Sequence, residues 1–331
     1  MEHLRQPGQL ITTYLLVSIC MVQISLGGPT QLGHLWNFPI PLANGLGDVH
    51  GLDKDAAIVV GGFGSILRTA DGGKNWTTEE TGTYYPLYSV HFVNDKIGWA
   101  VGANGIILKT SNGGFRWTQQ VSNTTNPLTS VYFTNKNTGW AVGYQGIFIK
   151  TSNGGKSWVK RKIRETNWLW SVQFVDNSTG WVVGSTGLIL KTTDGGKSWT
   201  SQKSNTSYSL FSVYFLDATT GWIVGSGGTI LKTTDGGAHW NLEKSEITHP
   251  LYSVYFIDEN VGWAVGGKWS KPEYDGIIIK TEDGGTSWEV QSSGMPNSLY
   301  SVYFVNENVG WVVGSNRIIL KTIDGGINWF E

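Results

Sequence analysis

The sequence predicts an all-β chain folded as a single seven-bladed β-propeller of four-stranded antiparallel blades. Three observations carry that prediction. Of 331 residues, 45 are Gly and 17 are Trp, with 13% aromatic and only 15% charged. Glycine at about twice its usual share opposes helices, while aromatic and β-branched residues suit twisted, packed strands. A tryptophan recurs at 76, 117, 158, 199, 240, 288 and 329, a 41-residue step broken once by a step of 48. Between these tryptophans the same four short apolar runs return, separated by Gly-rich turns. A four-stranded unit of about 40 residues cannot bury both faces alone, so it packs against neighbouring copies. Seven copies close a ring and remove the terminal units that an open array must cap.

Ahead of the repeats, residues 10–26 form an apolar run interrupted by Thr12, Thr13, Ser18, Gln23 and Ser25. Arg5 precedes it, and Gly27, Gly28 and Pro29 follow. This is the pattern of a signal peptide over 1–28, with Ser25 and Gly27 at the small positions of a cleavage site; an uncleaved anchor is the alternative. Export would put the mature chain on a secreted, lumenal or periplasmic side, with no membrane insertion of its own. Cys20, the sole cysteine, falls inside this segment. The mature chain then has no thiol for a disulfide, a thiolate metal site or nucleophilic catalysis. Sequons begin at Asn75, Asn123, Asn177 and Asn205, and they matter only in a glycosylating host. The 24 basic and 25 acidic residues leave a formal charge of -1, which excludes the profile of a nucleic-acid binder or a polybasic membrane-surface protein.

The propeller is expected over 36–331, with repeats ending near 76, 117, 158, 199, 240, 288 and 331 and a first blade starting near Asp48. Each blade opens on Ser-Val-x-Phe, as at 130–133, and continues with Gly-Trp-x-Val-Gly, as at 139–143. The tryptophans of this second strand are Trp99, Trp140, Trp181, Trp222, Trp263 and Trp311, with Ile58 in the first copy. An aliphatic run ending in a basic residue and Thr makes the third strand, as at 147–151, and the closing Trp begins the fourth, as at 158–162. Residues 36–49 resemble 76–90 with one residue missing, whereas the chain stops at Glu331. The segment near 36–39 is therefore expected to extend or latch the seventh blade.

Each closing Trp ends the pattern Thr-x-Asp/Asn-Gly-Gly-x-x-Trp, which resembles the Asp-box of sialidases, sortilins and related propellers. Its acidic or amide members are Asp71, Asn112, Asn153, Asp194, Asp235, Asp283 and Asp324. Their expected role is structural: the side chain accepts hydrogen bonds from turn amides, the glycines allow positive φ, and the Trp packs between blades. The residue before each Thr is basic, namely Arg68, Lys109, Lys150, Lys191, Lys232, Lys280 and Lys321. A residue present in every blade answers a packing need, its stem on apolar surface; a ring binding an anionic partner is the alternative.

Taken together, Ser-Val-x-Phe, Gly-Trp-x-Val-Gly, Gly-x-Ile-Leu-Lys-Thr and the Asp-Gly-Gly-x-x-Trp box resemble the photosystem II stability and assembly factor family of cyanobacteria and plastids. The repeat at 212–215, 221–225, 229–233 and 235–240 follows that pattern closely. The resemblance implies an exported, seven-bladed, non-enzymatic protein that binds a reaction-centre precursor during photosystem II assembly. In a photosynthetic source its place would be the thylakoid lumen. It also implies an arginine-rich binding surface, and here Lys160, Arg161, Lys162 and Arg164 form the sole basic cluster. That cluster reads equally as a solvated outer strand.

An enzyme is not expected. A sialidase-like site needs clustered arginines with a Tyr nucleophile, no phosphate loop is present, and the six His residues lack metal-ligand spacing. No cofactor and no metal are implied, and the expected partner is a protein, with a secreted glycan- or protein-binding propeller as the alternative function and a monomer as the expected state. The residues that vary among blades point to the surface. Tyr84, Tyr85, Trp168, Trp170, Tyr208 and His249 fall in connections predicted on one face, where the insertion 268–274 adds Trp269 and Tyr274. Nonrepeated aromatics on a rigid scaffold suit peptide or glycan contact, or else they plug the channel mouth.

Overall fold

The computed structural model describes residues 45–161, 163, 167–243, 245–268, 275–291 and 296–331, all within the compact unit Pro39–Glu331. The expected signal peptide over 1–28 and the segment near 36–39 lie outside the described residues, as do Trp269, Tyr274, Lys162 and Arg164. Strand β1 (Leu46–Gly51) pairs with β2 (Ala57–Gly61), β2 with β3 (Ile66–Thr69) and β3 with β4 (Thr77–Glu79), all antiparallel. The same meander recurs along the chain, giving seven sheets, six of four strands and one of three among the described residues. In the three-stranded seventh sheet Phe330 begins the fourth strand, exchanging two backbone hydrogen bonds with Lys321 at 2.7 and 2.8 Å.

Neighbouring blades are joined by a repeated ring stack. The second-strand tryptophans are at most 1% exposed. Trp99 lies flat on Phe133 of the next blade at 3.5 Å between ring centroids, Trp140 on Phe174 at 3.6 Å and Trp181 on Phe215 at 3.5 Å. The box tryptophan of that next blade meets the same phenylalanine edge-on, as Trp158 meets Phe133 at 5.7 Å. The edge-on contacts add to the area that the face-to-face pairs bury. The glycine before the core Trp gives the Phe room: a Cβ on Gly98 would sit 2.6 Å from the Phe92 ring. Blade one departs from this template at both of its interfaces. Ile58 replaces the core Trp and packs with Phe92, while Gly51 replaces the Phe, so Trp311 of blade seven meets Trp76 edge-on at 5.6 Å. Leu46, Val49, Val59 and Val313 fill the rest of that seam.

The innermost strands turn one edge toward the axis, and their buried amides need partners there. The Ser of Ser-Val-x-Phe supplies them. Its Oγ accepts the Val N–H of the following blade: Ser89 from Val131 at 3.3 Å, Ser130 from Val172 at 3.2 Å, Ser171 from Val213 at 3.4 Å, Ser212 from Val254 at 3.4 Å and Ser253 from Val302 at 3.3 Å. Ser301 closes the circle by accepting from Val49 at 3.4 Å, and Asp48, standing where the other blades have Ser, accepts from Val90 at 2.8 Å. Just before this position every inner strand carries a β-bulge, seen as the register shift between Leu87 and Ser89. The bulge re-aims the extra residue toward the axis.

The Asp-box works as a local knot. In blade four, Thr192 Oγ1 donates to Asp194 Oδ1 at 2.8 Å and accepts from Gly196 N at 2.9 Å, while Asp194 Oδ1 accepts from Ser198 N at 2.9 Å. The box glycines hold positive φ, 71° at Gly195 and 84° at Gly196. Hydrogen bonds from the side chain and backbone of the residue four positions on, with a smaller part from the Thr hydroxyl, keep the carboxyls of Asp71, Asp194, Asp235 and Asp324 below the ordinary carboxylate range and that of Asp283 at about 2. The basic residue before the box Thr latches neighbouring blades at Arg68, Lys109, Lys150, Lys191 and Lys321, whereas Lys280 pairs with Glu282 of its own blade at 2.7 Å. Lys109 Nζ donates to Gly154 O, Lys150 to Gly195 O and Lys191 to Gly236 O, each at 2.8 Å, with the ammonium about 5 Å over the core Trp of its own blade. Thr192→Val is expected to cost about 1–3 kcal/mol, because the buried Gly196 amide loses its acceptor. A denaturant titration checks it, and an unchanged midpoint would refute the box as a stabilising element.

Candidate partner-binding rim

The connections entering each blade and the one-turn 3-10 segments that follow the second strand in every blade but the sixth share one face. Ala103 N donates to Pro86 O at 2.9 Å and Ser185 N to Trp168 O at 3.0 Å, tying the two sets together. The boxes and the first hairpins share the other face, tied by bonds such as Gly113 N to Lys96 O at 2.9 Å. The aromatic connections and the Asp-boxes are thus at opposite ends of the ring.

The rim has two layers. Beneath its surface, the bulge residues Tyr88, Trp170, Phe211, Tyr252 and Tyr300 fill the tunnel above the serine belt. Trp170 meets Phe211 edge-on at 5.7 Å, Phe211 lies 5.5 Å from Tyr252, and Tyr252 meets Tyr300 edge-on at 5.7 Å. Tyr88 packs against the same group from across the ring. Burial pushes the Tyr88 and Tyr252 phenols up to about 12, so both stay protonated. Trp170 is only 9% exposed, with its Nε1 donating to Ser185 Oγ at 3.2 Å. It is a plug residue, and its truncation would disturb the fold as well as any contact.

On the surface, Tyr84 is 88% exposed, Tyr85 49% and Tyr208 55%. Trp168 is half-buried, stacked on Tyr144 at 4.5 Å and edge-on to Trp170 at 5.5 Å. His249 turns inward and lies 3.7 Å from the Asp275 carboxylate. These side chains are spread around the rim rather than gathered in one cleft. In the basic cluster, Lys160 and Arg161 are exposed on the outer strand of blade three.

Sequence reasoning missed the partners of this arc. Phe63, Gln145, Thr186 and Asn316 occupy the same left-handed position of the 3-10 segment, with φ of 53–58°, and Phe63 is 63% exposed. Beside them stand carboxamides: Asn126 Nδ2 donates to Gln145 Oε1 at 3.4 Å, Asn167 Nδ2 to Thr186 Oγ1 at 3.1 Å, and Asn316 Nδ2 to Asn297 Oδ1 at 2.7 Å. The 41-residue register places Asn126 and Asn167 opposite Tyr85 and Tyr208, the signal that finds them. No helix among the described residues is long and apolar enough to cross a membrane, and no group of three or more His, Cys, Asp or Glu side chains among them is placed to hold a metal ion.

Fold and repeat define a class, the seven-bladed propeller whose blades are knotted by Asp-box turns and whose variable aromatics sit on one rim. Within that class the chain belongs to the photosynthesis system II assembly factor YCF48 family, whose pattern matches residues 34–111, 111–207, 199–292 and 286–331. Among solved structures, the fold is similar to that of YCF48 bound to D1 peptide, with 20% identity over 86% of this chain and 95% of that one at a TM-score of 0.71. It is similar also to YCF48 from Cyanidioschyzon merolae, with 24% identity over 86% and 97% at a TM-score of 0.69. The GH74 xyloglucanase from Xanthomonas campestris shares the fold at 12% identity, over 87% of this chain and 53% of that enzyme, at a TM-score of 0.67. No curated protein sequence matches the chain.

Proposed function

We propose that this protein is an exported, non-catalytic assembly factor that holds an extended segment of a photosystem II membrane-protein precursor against its rim. The observation that carries this reading is the arc of exposed rings, Phe63, Tyr84, Tyr85 and Tyr208, interleaved with the carboxamides of Asn126, Gln145, Asn167, Asn297 and Asn316. Rings give contact area at small cost in side-chain entropy, and a carboxamide offers a peptide backbone both a donor and an acceptor. Membership of the assembly-factor family supports photosystem II as the setting, and the fold shared with a YCF48 bound to D1 peptide supplies the probe.

Titration calorimetry with a D1-derived peptide is expected to give binding that Tyr84→Ala combined with Tyr85→Ala weakens about tenfold or more, with an unchanged melting temperature. Both rings protrude into solvent, so their loss opens no cavity. If Lys160→Glu with Arg161→Glu abolishes binding while the tyrosine variants keep it, the interface lies on blade three instead, and no binding by the unmodified protein sinks the reading. Export is tested by sequencing the amino terminus of the mature protein, expected to start just after Gly27.

A further inference from the structure

Below the serine belt the central tunnel widens into a cavity of about 450 Å³ that the assembly-factor reading does not use. The aromatic plug closes it on the rim side. It opens on the Asp-box face, past Val175 and Leu216, and its volume is within the range of small-molecule sites. A girdle of His50, His91, Tyr132, Gln173, Tyr214, Tyr255 and Tyr303, one residue from each blade, forms its wall. The rings lie side by side around it: His91 and Tyr132 at 4.4 Å, Tyr214 and Tyr255 at 5.1 Å, Tyr255 and Tyr303 at 5.0 Å, Tyr303 and His50 at 4.4 Å.

The chemistry of this wall is neutral. Among the described residues no Lys or Arg lines the cavity, so an anion meets no counter-charge there. The one carboxylate among the described lining residues, Asp48, already accepts from Val49 N at 2.9 Å, Ser301 Oγ at 2.6 Å and Val90 N at 2.8 Å, leaving little for a cation. Burial holds both imidazoles unprotonated, His91 at about 4, and pushes the phenols up, so the wall disfavours charge of either sign. What it offers instead is a mainly polar wall of phenol hydroxyls, imidazole and serine groups, with ring edges between them. Behind these, Ser130 and Ser253 accept backbone N–H groups and keep their own hydrogens to donate.

We propose that this cavity binds a neutral, hydroxylated ring of sugar chemistry, entering from the face opposite the rim. A pyranose presents a fringe of hydroxyls that can pair with phenol, imidazole and serine groups, and C–H groups that fit against the ring edges between them. The site is independent of the peptide rim, so each can fail without the other.

Ligand-observed saturation-transfer NMR on the full chain, with methyl β-glucoside and cellobiose as probes and tetramethylammonium and acetate as charged controls, tests it. Transfer from the sugars alone is expected. Tyr255→Phe, which keeps the ring and removes one hydroxyl, should weaken it about tenfold at an unchanged melting temperature, and Tyr84→Ala on the rim should leave it intact. No transfer from either sugar, transfer from a charged control instead, or sugar transfer lost with Tyr84→Ala but kept with Tyr255→Phe overturns the proposal.

Discussion

Trp181→Ala is expected to destabilise the protein by about 3–5 kcal/mol, the range for large core truncations. The ring has no exposed surface, stacks on Phe215 at 3.5 Å and donates Nε1 to Gly236 O at 3.3 Å. Lys191 also loses the aromatic face beneath its ammonium and is left pinned to the same carbonyl. Because both partners belong to the next blade, the variant weakens an interface of the ring rather than one sheet. The melting temperature should fall by roughly 5–15 °C. A variant that melts with the unmodified protein would mean that the blades do not depend on the ring stack for cohesion.

Acidification should act on the tunnel through two opposing groups. His91 sits at about 4 in the folded protein against 6.5 when exposed, because burial opposes its charge. As pH falls from 6.5 toward 4 the unfolded chain takes up a proton that the folded chain refuses, so stability drops, by about 2–3 kcal/mol at most. His50, held well below its ordinary value by burial and by His91, acts in the same direction. Asp48 has the opposite sign. Burial raises it from 3.8 to about 6 against the pull of its hydrogen bonds, so the folded chain gains a proton first and stability rises as pH falls from 6 toward 3.8. His91→Tyr, which installs the residue that blades three, five, six and seven carry there, is expected to flatten the acid loss between pH 6.5 and 4.5. Asp48→Ser, the residue of the other six blades, should steepen that loss and stabilise the ring at pH 7. Denaturant midpoints measured across this window decide the matter, and identical slopes for all three proteins would show that neither group titrates differently on folding.

How far the sequence reaches is clearest at positions that repeat. The box residues Asp71, Asn112, Asn153, Asp194, Asp235, Asp283 and Asp324 read as turn acceptors because a group present in every blade meets the same neighbours in every blade, and each of them accepts its Thr hydroxyl. The basic residues of the third strand read as packing elements for the same reason, although the carbonyl that Arg68, Lys109, Lys150 and Lys191 each grip lies 45 residues on in the next blade, beyond any local pattern. Positions that vary were harder. Trp168 and Trp170 are two residues apart and look alike on the chain, yet the bulge turns Trp170 into the plug while Trp168 stays at the rim against Tyr144. Composition does not record a bulge, because it is a slip in pairing between two strands.

The sequence by itself determined the number of blades, the order of strands within each and the box chemistry, because these depend on contacts within one 41-residue repeat or between it and an identical neighbour. The tertiary structure alone decided which single residues matter. Asp48 and Ser301 stand 253 positions apart and come within 2.6 Å only because the ring closes. The tunnel girdle takes one residue from every blade and the aromatic plug one from each of five, and both meet only at the axis. Closure is a property of the summed packing of all the interfaces, and no segment of the chain carries it alone.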